Sequence, residues 1–93
     1  MSMNRGRFDR TALPGALIYF DWIGNPLQGH GAWRNALCPF HEDTRPSLRV
    51  RADTGAYRCM VCGAHGGDVL DLHQQRTGKG FVDAARELGA WKQ

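Results

Sequence analysis

The chain has 93 residues, room for one domain, and a chain of that size buries only about two thirds of its unfolded surface. Its formal net charge is +3 with a pI near 9.1, and only Lys79 and Lys92 among the basic residues are lysine. No stretch is long and apolar enough to span a bilayer, and the polar start from Met1 to Arg10 does not read as a signal peptide. The arginine bias points instead to a polyanion, because a guanidinium grips phosphate in a planar, bidentate way and stacks on bases.

Residues 1–11 carry Arg5, Arg7 and Arg10 among polar neighbours and are expected to form a flexible basic arm, with 12–93 forming a single domain. Leu13-Pro14-Gly15 opens a helix, since Pro14 suits the first helical turn, and Gly24-Asn25-Pro26 stops it. The helical spacing of Leu17, Ile18 and Trp22 predicts that these three face the core. Gln28-Gly29-His30-Gly31 reads as a turn, and it matches neither a phosphate-binding P-loop nor a dinucleotide fingerprint. Ala32 to Leu37 reads as a short strand that ends at Cys38, with Trp33 expected to pack into the core ahead of the alternative, a platform for base stacking beside Arg34.

Two short pairs then carry the chemistry. Cys38 and His41 are separated by two residues, as are Cys59 and Cys62, so one tight turn can aim each pair at a single ion. The seventeen residues from Glu42 to Arg58 are enough for a hairpin that brings the pairs together. Three thiolates and one imidazole suit tetrahedral zinc. All three cysteines of the chain are used in this way, which fits a reducing, cytoplasmic setting without disulfides. His30 is a further imidazole that could reach the ion, and His65 would take the place of His41 if substitution of His41 left the metal bound. A structural zinc supplies about 10–16 kcal/mol of binding free energy, comparable with the whole stability of a small domain. Metal and fold are therefore expected to be inseparable.

Within the hairpin, Ser47-Leu48-Arg49-Val50-Arg51 alternates apolar and basic residues, Ala52-Asp53-Thr54-Gly55 supplies the turn, and Ala56-Tyr57-Arg58-Cys59 returns. A four-residue loop sets Val50 opposite Tyr57 and Arg49 opposite Arg58. Leu48, Val50, Tyr57 and Cys59 then share the inner face, and Arg49, Arg51 and Arg58 share the outer one. Arg34 and Arg45 are expected at its edge. Glu42, Asp43 and Asp53 are the only acids in this interval, and none is expected to neutralise the arginine face. Beyond the second pair, Asp68 is a plausible N-cap for a helix over Val69 to Thr77, with Gly78 at its C′ position and His73 at the edge of the surface. Phe81 to Leu88 reads as a last helix that turns Phe81, Val82, Ala85 and Leu88 inward, after which Trp91 folds back onto the core.

The stretches Cys38-Pro39-Phe40-His41, Arg45-Pro46-Ser47 and Tyr57-Arg58-Cys59-Met60-Val61-Cys62-Gly63-Ala64-His65-Gly66-Gly67-Asp68 resemble the CHC2 zinc-binding domain of bacterial and phage primases over about residues 30 to 90. The resemblance implies a zinc ribbon, a small antiparallel sheet around one structural zinc, flanked by helices. With the helix read after Pro14, the expected fold is α+β with an N-terminal helix and two C-terminal helices. It implies Cys38, His41, Cys59 and Cys62 as ligands, and contact with single-stranded template DNA. Primases polymerise with clustered carboxylates in a separate domain. Here the glutamates are only Glu42 and Glu87, and no Asp-x-Asp pair exists, so the chain is expected to bind rather than catalyse. It looks like a small stand-alone protein of the kind carried by phages and other mobile elements. Three functions compete: a module for single-stranded DNA in replication or mobile-element DNA processing, an adaptor docking on a replication or conjugative-transfer protein, and, ranked last, a sequence-specific regulator.

Overall fold

Alternating side chains in four short strands build one sheet with a dry face and a wet face. The computed structural model describes residues 6–92. Its main sheet contains β2 (Trp33–Ala36), β3 (Leu48–Arg51), β4 (Tyr57–Cys59) and β5 (His65–Gly66), all antiparallel and in that order. The register sets Val50 opposite Tyr57 and Arg49 opposite Arg58, as the hairpin pattern predicts. Leu48, Val50, Tyr57, Cys59 and Ala36 are buried on the inner face. Gly66 passes so close to the Tyr57 ring that a Cβ there would sit 2.5 Å from its hydroxyl, so β4 and β5 can approach only with glycine at this position.

Three helices cover the dry face: α1 (Ala16–Trp22), α2 (Val69–Thr77) and α3 (Phe81–Glu87). Asp68 caps α2 by accepting from the Asp71 N–H, and Gly78 ends it at φ 77°, both as the sequence predicts. The orientation of α1 does not follow the prediction. Ala16, Tyr19 and Phe20 are buried, whereas Leu17, Ile18 and Trp22 are exposed. The helix is apolar nearly all round, so hydrophobicity alone does not fix its rotation. The Tyr19 hydroxyl does, because it has a buried partner in the Nδ1 of His73 at 2.9 Å.

His73 is likewise buried rather than at the surface. Its Nε2–H donates to Glu87 at 2.6 Å, and Arg76 Nε–H donates to the Tyr19 oxygen at 3.3 Å. One imidazole thus joins a residue of each helix, with Lys79 on the second Glu87 oxygen. In α3 the buried residues are Ala84 and Ala85, followed by Leu88, while Phe81 is exposed on one side. Its ring meets Phe8 edge-on at 5.2 Å and Trp91 at 6.3 Å. Trp91 does pack back on the core, as expected.

This aromatic group explains the start of the chain. Arg7–Phe8 forms β1, which pairs with β6 (Trp91–Lys92), and a 3-10 turn follows over Arg10–Ala12. From residue 6 onward, the segment expected as part of a flexible arm is therefore ordered structure. Arg5 and the residues before it lie outside the described residues.

Candidate metal centre and outer sheet face

The loop after β2 carries Cys38 and His41, and the turn after β4 carries Cys59 and Cys62. The two knuckles bring one ligand atom from each of these residues to within 4.8 Å of the others. Two sulfurs on a tetrahedral zinc at about 2.3 Å stand about 3.8 Å apart, and Cys38 Sγ and Cys62 Sγ are 3.8 Å apart. His41 Nε2 lies 3.4 Å from Cys59 Sγ, and its Nδ1–H donates to the Glu42 carbonyl at 3.0 Å. That bond leaves Nε2, the nitrogen facing the cluster, free to ligate. His30 and His65 are exposed and are not part of the cluster.

The surroundings prepare the sulfurs for ionisation unequally. Burial pushes the Cys38 thiol up to about 12, with the neighbouring sulfurs adding to the effect. Burial also opposes ionisation of Cys59, but the N–H groups of Cys62 and Val61, the Ser47 hydroxyl and His41 outweigh it and bring the thiol down to about 5. Three sulfurs this close cannot all ionise without a compensating cation, and a doubly charged ion leaves the site at about −1. Asp43 supports the first knuckle by accepting from Cys38 N at 2.9 Å and from Ser47 N and Oγ at 3.2 and 2.8 Å. Those donors, the Cys38 N–H foremost, hold its carboxyl below the usual range. Donor set, spacing and support all fit zinc. Among the described residues, no other group of Cys, His, Asp and Glu side chains gathers in this way.

The outer face of the sheet carries two cross-strand rows. Trp33 stands opposite Arg51, and Asn35, Arg49, Arg58 and His65 form a line across all four strands. Arg49 and Arg58 are exposed. Arg51 is half-buried and donates to Asp53 at 2.8 Å, so one acid does reach this face, contrary to expectation. Arg34 is not part of the rows. It stands opposite the buried Val50 and donates to the Gly31 carbonyl at 3.1 Å. Arg45 is exposed in the loop between the first knuckle and β3. Trp33 is not core: it is 44% exposed, with the Arg49 and Arg51 guanidiniums 6.0 and 5.9 Å from its ring centre. Sequence reading gave no notice of Asn35 and His65 as members of this face, and for Trp33 it favoured the core over the base-stacking alternative. Continuing the period-two alternation into β2 and β5 would have found them.

An α+β zinc ribbon with a basic outer face is the class of protein that this fold and site define. Residues 25–93 match the family of the CHC2 zinc finger, and the chain belongs to that family. It carries one structural zinc, which the Cys38, His41, Cys59 and Cys62 cluster suits. It is 37% identical over 68 residues to the gene 58 protein of Mycobacterium phage D29, covering 73% of this chain and 50% of that protein. It is 44% identical over 52 residues to the DNA primase of Lactococcus lactis, covering 56% of this chain and 8% of the primase. With the Escherichia coli K12 DNA primase the identity is 36% over 64 residues, covering 69% and 11%. The chain thus spans half of the phage relative and roughly a tenth of the primases. No helix among the described residues is long and apolar enough to cross a membrane.

Proposed function

We propose that this zinc module contacts single-stranded DNA in primase-related replication or in mobile-element DNA processing, with Cys38, His41, Cys59 and Cys62 holding the ion. The carrying observation is the row of exposed Arg49 and Arg58, extended by Arg51, on a face to which, among the described residues, only Asp53 brings a bonded acid. Like charges set directly opposite each other across a strand pair cost stability, and a polyanion offsets that cost. Arg45 belongs to the periphery of this surface; Arg34, opposite inner-face Val50 and with its guanidinium tied to the Gly31 carbonyl, does not. The zinc acts structurally: its four protein ligands fill a tetrahedral shell and leave no position for a reacting water. The chain binds and does not polymerise, and residues 12–93 act as one unit together with the Arg7–Phe8 strand paired to them.

Fluorescence anisotropy with labelled single-stranded, duplex and RNA oligonucleotides over a salt series tests this reading. Each phosphate contact adds about 0.7 to the salt slope for a single strand. Replacing Arg49, Arg51 and Arg58 by glutamine should lower the slope by roughly two while zinc stays bound. An unchanged slope and affinity in the folded triple variant would remove this face from the function.

A second reading has its own observation. Ile18 and Trp22, 68% and 62% exposed on α1, flank a shallow groove of about 210 Å³ that also takes in Pro14 and Leu88. Exposed apolar patches of this kind mark protein contacts, which would make the module an adaptor on a replication or conjugation protein. Retention of DNA affinity but loss of partner capture in Ile18→Ser/Trp22→Ser would favour it.

A further inference from the structure

We propose that the outer sheet face takes one unstacked nucleobase of a single strand into the notch between Trp33 and Met60. The inference rests on the nucleic-acid reading above and narrows it from a phosphate-binding face to a base-binding site. The notch has a volume of about 250 Å³ and is lined by Trp33, Arg49, Arg58 and Met60. Two of these side chains are large and apolar yet stand in water, Trp33 at 44% and Met60 at 67% exposure. The other two are the exposed arginines of the central row, which make no ion pair among the described residues, and no carboxylate of a described residue lines the notch. Arg51, paired to Asp53, lies with Arg49 about 6 Å from the indole centre, so the ring is flanked by cations.

An indole face, a polarisable thioether and two guanidiniums together fit one kind of ligand: a flat π system attached to an anion. A base stacks on the indole and meets the sulfur, while the guanidiniums reach its edge or the adjoining phosphate. A purely phosphate-binding surface has no use for exposed tryptophan and methionine. A duplex cannot offer a base without unstacking it first, so the notch also selects for single strands.

The test compares an oligothymidylate with an abasic strand of the same length and charge, by anisotropy, on the zinc-loaded full chain. The wild type should prefer the base-bearing strand by roughly 5- to 150-fold, the range of one base–aromatic stack. Trp33→Ala should erase most of that preference and leave the salt slope unchanged, whereas Trp33→Phe should keep much of it. Should Trp33→Ala lose its zinc, Trp33→Leu makes the same comparison, because it keeps an apolar side chain on the strand and removes the π face. Equal binding of both strands by the wild type, or an undiminished preference in the tryptophan variant, overturns the notch and leaves the phosphate face standing. Failure of the wild type to bind either strand overturns both.

Discussion

Arg58→Gln should make the protein more stable and a poorer binder at once. Arg58 stands at the centre of the outer row, with Arg49 opposite it on β3 and His65 opposite it on β5. None of the ion pairs among the described residues includes it, whereas Arg51 has Asp53. It also lacks the contact with the Trp33 ring that Arg49 and Arg51 make, so glutamine removes a charge and little else. Relieving a directly opposed like-charge pair contributes about 0.2–1 kcal/mol. For a domain of this size, 1 kcal/mol moves Tm by about 4–8 °C, so the rise should be about 1–8 °C. Melting followed by circular dichroism at low salt, with zinc at a fixed excess, measures it, since an ion bound only to the native state otherwise shifts Tm by mass action. The rise should shrink in 1 M salt, where the screening length falls to about 3 Å. In the binding assay the same variant should lose about 0.7 from the salt slope. A variant that melts lower at low salt, or binds with the wild-type slope, refutes the claim that this row trades stability for phosphate contact.

Chelation of the metal should abolish the native circular dichroism and amide-proton dispersion, because the zinc contribution rivals the stability of the whole domain; well-dispersed spectra after chelation would contradict this. Native mass spectrometry should show one ion per chain, kept in His30→Ala and His65→Ala and lost in His41→Ala. Glu87 is held below its ordinary value of 4.5 by the Lys79 ammonium and then by His73. A depressed carboxylate stabilises the fold above its ordinary value and ceases to do so as pH falls through the folded one. The Tm deficit of Glu87→Gln should therefore be largest near neutral pH and shrink below about pH 4.5, and a deficit that is constant with pH would count against the network. Purified protein with template, nucleotides and magnesium should yield no primer, and template-dependent product would overturn the binding-only reading.

Local pattern and spacing set the metal centre and the central hairpin. Each depends on neighbours close in sequence: two residues between ligands, period-two alternation over Leu48–Arg51, Asp68 and Gly78 at the ends of α2. Such features are legible because a turn, a strand or a cap is a short-range geometry that few residue types satisfy.

Tertiary packing decided the rest. The Ala16–Trp22 helix offers apolar residues on every side, so its inward face is set only by where Tyr19 finds His73, fifty-four positions away. His73 is buried because Tyr19 and Glu87, from two other helices, satisfy both of its nitrogens. The strand at Arg7–Phe8 exists because Phe8 meets Phe81 and the backbone meets Trp91 and Lys92 at the far end of the chain. Trp33 faces water because its row partner is Arg51 on the outer face rather than a core residue. A single sequence carries each residue's preference for burial or exposure, but for amphipathic residues such as Tyr, His and Trp that preference is weak. What fixes their place is a hydrogen-bond or stacking partner that only the assembled fold brings within reach.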